Sequence, residues 1–452
     1  MSVVYVGVGQ CGVQLMSTFL SHNIKNKTDS FLLDEVGQFK GILVDSESKT
    51  YYHTANKLNL HRYFRKYNVI LGRRGRGSNW AHGYYDDTKD DCLLEESVES
   101  VRRQIERSNI CPGICLVHSL AGGTGSGFGL RLLEEAQDNL GVRLCLTFSV
   151  MPYCYGESPL QAYNILLSLA GLTRIADGIV LLYNDWLLAQ VQLNSTNGYK
   201  TKTATGVLEN VTGINNLAAE QMTNLLAPCS PMGSSESHEE DKNNDAYYLE
   251  PWAICQTLTP LCDVKFVRCI SSDDRKHITQ CDWVHMIEDL QFKLRQCPSD
   301  STWSLNKTYA SAGCQPNNCI SALLIYRMRK PSDLVSAQSL VPGSLNFVKN
   351  TKKPIPFPGN DLLQYLRPVG WNEKPVVQWF DCNYLKSHKS VTLAFNSCCI
   401  MEDLNSLIYR ARVRQEVGAY LHWYEKYGCT KDNFDEAFEQ LKHVIEAYKN
   451  LI

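Results

Sequence analysis

Two glycine-rich segments have the composition and position of phosphate-binding loops. The first, GVGQCG at 7–12, follows a short β-branched run and opens a helical pattern. The second, AGGTGSG at 121–127, again lies between a strand pattern and a helical pattern. Glycines let backbone N–H groups approach phosphate oxygens at a helix N-terminus, and the threonine and serine of the second segment add hydroxyl groups. Both segments therefore predict a ligand that carries phosphate.

The first segment alone does not decide between a ligand site and a tight turn. A strand-to-helix turn without a ligand would use the same glycines. Two such loops at the carboxyl ends of strands in one sheet converge on one crevice, and this favours a ligand. The chain has no G-x-x-x-x-G-K-[ST] motif. Backbone amides and hydroxyls, rather than a P-loop lysine, must therefore hold the phosphates.

Two acids follow a second strand pattern. Asp45 and Glu47 are two residues apart and can face the same side. Beside phosphates, such carboxylates would hold Mg²⁺, mostly through its water ligands. The alternative is a pair of solvated acids at the end of a strand.

A basic loop, GRRGRGSN at 72–79, carries Arg73, Arg74 and Arg76. It resembles an RNA-binding RGG stretch, but it is short, single and embedded between regular elements. A loop that faces the terminal phosphate, with Asn79 as a donor, explains it better. A solvated basic loop remains the alternative for the arginines.

The elements that must position these residues alternate between strand and helix patterns. Strands are predicted at Val3–Val6, Gly41–Asp45, Val69–Leu71, Ile114–Leu120, Leu144–Val150 and Ile179–Leu182, and helices at 10–23, Leu93–Ile105, after the second glycine loop to Asn139, and Leu160–Leu172. This alternation predicts an α/β fold, a Rossmann-like parallel sheet with helices on both faces.

The second half of the chain is mixed. A single helix is predicted over Val207–Leu226, strands over Ile320–Tyr326 and Val391–Phe395, and two amphipathic helices over 401–426 and 431–450. Two stretches are polar: 194–205 is rich in Asn, Ser, Thr and Lys, and 229–246 is predicted to be an exposed acidic loop.

Charge and cysteine content exclude several classes of protein. The 452 residues carry 45 Lys and Arg against 47 Asp and Glu, a net charge of −2. This balance gives no bulk reason to bind nucleic acid or an anionic membrane, so we predict neither as a partner. The 18 cysteines have no framework spacing, and the N-terminus enters a strand pattern directly. We therefore expect reduced thiols and a cytoplasmic location.

Five motifs occur in a characteristic order: GQCG at 9–12, VDSE at 44–47, GSNWAHGYY at 77–85, AGGTGSG at 121–127 and LHWY at 421–424. Together they resemble the tubulin superfamily, from residue 3 to the end of the chain. The resemblance implies a GTP-binding domain over 1–204, a central helix with an intermediate domain over 205–395, and a C-terminal helical domain over 396–452.

The resemblance also implies GTP and Mg²⁺ as cofactors and assigns residues to them. The GTP-binding residues would be Gln10, Cys11, Gln14, Asn79, Gly122, Gly123, Thr124, Gly125, Ser126, Gly127, Gln161, Asn184 and Asn215, and the metal would lie at Glu47 and Asp45. Gln161 takes a position where conventional chains carry a ribose-binding glutamate. Asn184 and Asn215 match the asparagines that read guanine, and Val211 stands where an aromatic ring usually stacks on the base.

These departures favour a divergent member of the delta or zeta type. The segment PYCYGESPLQAYNILLSL at 152–169 looks most like that group, and the chain has no acidic C-terminal tail. Such tubulins belong to centrioles, basal bodies and cilia. We therefore expect a cytoskeletal protein whose partners are other tubulins or centriolar and basal-body proteins.

Catalysis is expected to be weak, and no catalytic residue is predicted. In conventional alpha chains a glutamate completes the GTPase site of the neighbouring subunit. The corresponding position here is Ala253, and alanine cannot deprotonate or orient water. We expect slow GTP turnover at most. We also expect valine at Gly123 or Gly125 to abolish binding, because its side chain would fill the space of a phosphate.

Two other functions remain open at this stage. One is a scaffold that keeps the fold without nucleotide, which Val211 supports. The other is a dinucleotide-dependent oxidoreductase built on the first glycine loop. That reading needs an acid about 20 residues after the loop. Asp29 and Asp34 fall in a polar segment rather than at a strand end, whereas Asp45 is at a strand end but far along the chain. The second glycine loop is also left unexplained.

Overall fold

Strands and helices alternate along the first half of the chain. The computed structural model describes residues 2–85, 92–107, 112–154, 158–196, 206–229, 251–274, 283–296, 318–328, 366–372, 375–381 and 389–451. The first elements are β1 (Ser2–Val8), α1 (Gly9–Lys25), β2 (Gly41–Asp45), α2 (Ser48–Leu58), β3 (Val69–Leu71), α3 (Trp80–Tyr85), α4 (Leu93–Glu106), β4 (Pro112–Ser119), α5 (Gly129–Leu140), β5 (Leu144–Met151), α6 (Gln161–Ile175), β6 (Gly178–Tyr183) and α7 (Asn184–Thr196).

A long helix opens the second half, and three helices close it. These elements are α8 (Gly206–Leu226), α9 (Pro251–Leu258), β7 (Phe266–Asp273), α10 (Trp283–Gln296), β8 (Cys319–Arg327), β9 (Val376–Asp381), β10 (Ser390–Ser397), α11 (Ile400–Glu416), α12 (Leu421–Glu425) and α13 (Lys431–Lys449).

The strands form one sheet in the order β3-β2-β1-β4-β5-β6-β7-β10-β8-β9. Every pair from β3 to β7 is parallel, whereas β10 runs antiparallel to both β7 and β8. The predicted α/β class with a parallel sheet is confirmed. The strand order reverses between β1 and β4, and ligands of such sheets bind in the crevice at this switch point.

Alternate residues of β1 pack on opposite faces of the sheet. Val4, Val6 and Val8 join a core built with α5, α6, α11 and α13. Val3 and Tyr5 join a second core with α1, α8 and α9. Because both faces are covered, β1 is buried along its described length and its carboxyl end is held rigidly.

The prediction of one helix over 401–426 is wrong. Helix α11 ends at Glu416, and α12 begins only at Leu421. Gly418 and Tyr420 between them have φ values of +65° and +61°. Two residues in the left-handed region interrupt the helical hydrogen-bond ladder, although the apolar spacing across them still looks helical. Of the predicted polar stretches, 197–205 and 230–246 lie outside the described residues.

One buried arginine fastens the end of α8 to the sheet. The guanidinium of Arg327, on β8, is 1% exposed and donates to Asn224 O at 2.9 and 3.1 Å and to Ala227 O at 2.6 Å. Its remaining nitrogen pairs with Asp381 Oδ2, on β9, at 2.6 Å. The last carbonyls of a helix have no partner within the helix, so Arg327 satisfies them while Asp381 balances its charge.

We expect Arg327→Leu to destabilise the protein by about 3–5 kcal/mol, because it leaves the Asp381 carboxylate buried without its cation and the α8 carbonyls without donors. Chemical unfolding measures this. The double variant Arg327→Leu with Asp381→Leu should recover part of the loss. Lys442→Leu, which breaks the exposed pair with Glu439, serves as the control and should cost less than about 1 kcal/mol. An Arg327→Leu loss as small as that control would contradict the assignment.

Candidate nucleotide-binding site

The two glycine loops touch at the switch point of the sheet. Strands β1 and β4 are adjacent, with Val8 opposite His118. Gly9 has φ +72°, and a Cβ built on it would lie 2.9 Å from Gly125 N. Only glycine at this position allows the loops to approach so closely. The first turn of α1 presents Gln10 to solvent, with Cys11 and Gln14 half-buried beside it.

The second loop has one glycine that faces open space. A Cβ on Gly122 would meet no atom within 4 Å, whereas one on Gly123 would lie 2.7 Å from Arg76 O, and one on Gly125 would lie 2.9 Å from Ser119 O. Gly127 packs against the carbonyl of Trp80. The expectation that a side chain at Gly123 or Gly125 would fill phosphate space is therefore wrong in its reason, since it would collide with the protein backbone.

The same loop continues into a widened helical turn. Thr124–Phe128 form a π turn that leads into α5, and the Ser126 hydroxyl donates to Gly122 O. Single π turns inside helices are frequent at functional sites because they redirect backbone groups. The Thr124 hydroxyl contacts the Ser46 hydroxyl at 2.7 Å. This contact joins the glycine loop to the end of β2.

The acids predicted to hold a metal lie on either side of Ser46. Asp45 is buried, and its Oδ2 has no hydrogen-bond partner among the described residues. Burial raises the pKa of Asp45 to about 6, despite backbone donors that act in the opposite direction. Glu47 is exposed, and its carboxylate lies against Gly75. A buried acceptor without a partner beside an exposed carboxylate fits Mg²⁺, which would neutralise phosphate charge.

Asn79 and the three arginines differ in their surroundings. Asn79 Oδ1 accepts from Ala81 N at 2.9 Å, and Nδ2 donates to Trp423 O at 3.0 Å. Within the described residues the second hydrogen of Nδ2 remains for a ligand. Arg73 and Arg74 are exposed, but Arg76 is only 4% exposed. A role in sensing the terminal phosphate stays a prediction, and the exposed Arg73 and Arg74 suit that role better than the buried Arg76.

The residues predicted to contact the nucleoside lie on three helices. Gln161, the first residue of α6, donates from Nε2 to Tyr153 O at 3.2 Å, and its buried Oε1 has no partner among the described residues. This orphaned acceptor suits a ribose hydroxyl. Asn184 begins α7 and Asn215 lies on α8; both are half-buried, and the two helices pack together. Val211 is 42% exposed.

His118, which no sequence motif singles out, supports the second glycine loop through a hydrogen bond from its buried ring. Its buried ring contacts Gly125 O through Nδ1 and Ser149 Oγ through Nε2, both at 2.8 Å. Since a carbonyl only accepts, Nδ1 carries the proton and Nε2 accepts from the serine hydroxyl. Burial lowers the pKa of His118 to about 4. The only signal in the sequence is one imidazole within the apolar strand ICLVHSL.

Comparison with known proteins assigns a family to the first part of the chain. The model of the tubulin/FtsZ GTPase domain matches residues 2–192, which include both glycine loops, the acids and Asn184. Residues 2–192 therefore form a GTPase domain of the tubulin/FtsZ family. A GTPase domain of this family implies GTP as the nucleotide. The match ends before α8, so it does not reach Asn215.

Two relatives are similar along the whole chain, and a third is similar over part of it. The tubulin delta chains of Macaca fascicularis and Homo sapiens are 24% identical to it, over 493 and 497 aligned positions that cover all of both chains. A nucleomorph tubulin beta chain of Guillardia theta is 30% identical over 207 residues, 41% of this chain and 46% of that one. Among the described residues, every helix is too short or too polar to cross a bilayer.

We expect Gly122→Val to lower GTP affinity at least about tenfold, because a Cβ there meets no protein atom within 4 Å and the side chain would project into the space beside the loop. Its stability should stay within about 0.5 kcal/mol of the wild type. Gly370→Val, at another glycine with open space, is the matched control and should leave affinity unchanged. Titration with a fluorescent GTP analogue measures both. Unchanged affinity in Gly122→Val would place the phosphates elsewhere.

His118 should make stability fall in acid. Between the unperturbed pKa of 6.5 and the folded value of about 4, the unfolded chain binds a proton that the folded protein does not. Stability should therefore be lost as pH falls through this window, by on the order of 3 kcal/mol. His118→Asn keeps a donor for Gly125 O but does not titrate. Unfolding curves of both proteins should converge as pH falls, and parallel curves would contradict the buried neutral histidine.

Proposed function

We propose that this chain is a divergent, delta-type tubulin whose bound guanine nucleotide controls its association with other tubulins. The observation that carries the proposal is the contact of the two glycine loops at the switch point, where Gly122 alone of the second loop's glycines faces open space. Full-length similarity to tubulin delta chains supports the delta type. On the same similarity we propose a place in the cytoskeleton, at centrioles, basal bodies or cilia.

In this proposal the glycine loops and the ends of several helices each bind a different part of the nucleotide. Backbone amides of 122–127 and the first turn of α1 hold the phosphates, with Asn79 at the terminal one. Gln161 accepts a ribose hydroxyl through its orphaned Oε1. Asn184 and Asn215 discriminate guanine, since an amide offers both a donor and an acceptor. Asp45 and Glu47 hold Mg²⁺.

We expect slow turnover of GTP because the surface formed by α9 has an alanine, Ala253, where a residue that activates water would be needed. Ala253 lies there, half-buried between an exposed Trp252 and a buried Ile254. A methyl group cannot activate water for a neighbouring subunit. The nearby Glu250 and the acidic stretch Ser230–Asp245, which we expect to obstruct docking on the same face, lie outside the described residues. We propose that the nucleotide-bearing face contacts other tubulins instead.

A nucleotide-free scaffold is the second candidate. Val211 is 42% exposed on α8, and valine offers less stacking area to a base than an aromatic ring does. The oxidoreductase reading is disfavoured. Asp34 lies in a loop and pairs with Arg65 at 2.5 Å, and Asp45 sits beside the second glycine loop through its neighbour Ser46. The division of the chain after residues 204 and 395 stays a prediction.

The purified protein should carry close to one guanine nucleotide per chain, measured by extraction and chromatography. With GTP added, phosphate release should stay slow and should not rise steeply with protein concentration, and sedimentation should find no polymer. Gly122→Val, whose GTP affinity we expect to be lower, serves as the control and should carry less nucleotide. An empty wild-type site would favour the scaffold. Turnover that rises with concentration together with pelletable filaments would contradict the proposed role of Ala253.

A further inference from the structure

Asn164 makes four hydrogen bonds from the buried face of α6. Its Nδ2 donates to Ser78 O at 2.8 Å and to Ala121 O at 2.6 Å. Its Oδ1 accepts from Trp80 N at 2.9 Å and from the Tyr424 hydroxyl at 2.6 Å. The residue is 0% exposed. Both amide hydrogens and both lone pairs of the oxygen are thus used, which is the full capacity of this side chain.

The four partners belong to three segments around the candidate nucleotide site, which we call its walls: the Ser78–Trp80 segment, the glycine loop at 121–127, and α12. Ser78 and Trp80 flank Asn79 at the start of α3, whose first residue is Trp80. Ala121 directly precedes Gly122, the glycine that faces open space. Tyr424 belongs to α12 in the C-terminal layer. These walls are far apart in sequence, so no local element fixes their separation.

Two further contacts join the same C-terminal turn to the α3 segment. Asn79 Nδ2 donates to Trp423 O at 3.0 Å, and the rings of His82 and Tyr427 stack at 4.2 Å. A displacement of α12 would therefore be transmitted to the α3 segment directly, and to the glycine loop through Asn164.

We propose that Asn164 is the positioning residue that sets the spacing between the Ser78–Trp80 segment and the glycine loop, and that it couples both to α12 through Tyr424. The proposal rests on the proposed nucleotide site for its functional consequence, but its structural content does not depend on nucleotide. An amide is required because one side chain must donate two hydrogen bonds and accept two others at the same time. Aspartate has the same shape, but when ionised it would place negative charge against two carbonyl oxygens.

The first test measures amide hydrogen exchange without nucleotide, on the full chain. Asn164→Asp should raise exchange in both 76–82 and 121–128, since both walls lose their shared anchor. The control is Thr173→Val on the same helix, α6, which removes a buried hydroxyl that donates to Ala170 O and accepts from Gln440 Nε2 of α13. It should leave exchange in both segments unchanged. Faster exchange in only one wall, or equal changes in the control, would overturn the positioning role.

The second test uses GTP affinity and pH. Asn164→Asp should weaken binding about tenfold or more near pH 8, and the variant-to-wild-type affinity ratio should recover at least about threefold near pH 5.5, because a protonated carboxyl group regains a donor. Tyr424→Phe keeps the ring packed against Tyr163 and Phe434 and removes only the hydroxyl. It should weaken GTP binding about threefold, because only the hydrogen bond between Asn164 and α12 is lost.

The outcomes separate this proposal from the proposed function. A pH-independent affinity ratio in Asn164→Asp, or wild-type affinity in Tyr424→Phe, would overturn the coupling. A wild-type protein that binds no guanine nucleotide would overturn the proposed function, while the exchange measurement would still decide whether Asn164 positions the two walls.

Discussion

The architecture depends on close backbone contact between two glycine loops at the point where the strand order reverses. A Cβ on Gly9 would lie 2.9 Å from Gly125 N, and one on Gly123 would lie 2.7 Å from Arg76 O. Most glycines of these loops are therefore required by the protein's own backbone rather than by a ligand. This packing brings the backbone amides of two strand–helix junctions together, and it leaves Gly122 at the open edge. The candidate site is thus a consequence of how tightly the sheet's carboxyl end is assembled.

Polar side chains beneath these loops hold them in place. His118 and Asn164 are both fully buried, and each makes hydrogen bonds to the glycine loop and to another element. Unpaired polar groups are costly in such surroundings, so a satisfied network has few alternative arrangements. Asp45 and Gln161 differ from them, because each has a buried oxygen without a partner among the described residues. The satisfied side chains fix the frame, and the orphaned atoms mark where a ligand would complete it.

Much of the fold was predictable from local patterns. The strands β2 and β3 agree with their predicted bounds, and β1, β4, β5 and β6 differ only at their ends. The helix over 401–426 was not predictable in this way, because apolar spacing does not reveal that Tyr420 adopts a positive φ. The joining of the two parts of the sheet through β7 also escaped prediction, since pairing between distant strands leaves no local signature.

The candidate site, like the fold, was only partly predictable from the sequence. Glycine spacing, the acids after β2 and the order of the five motifs were enough to indicate the family and to predict which residues would surround a nucleotide. The tertiary structure alone decided which glycine faces open space, that Arg76 is buried while Arg73 and Arg74 are exposed, and that His118 and Asn164 support the loops. The physical reason is that residue type and spacing determine local conformation and chemical capacity. Burial and hydrogen-bond partners are set by segments far apart in the chain, such as Asn79 and Trp423, which are 344 residues apart, and only folding brings those segments together.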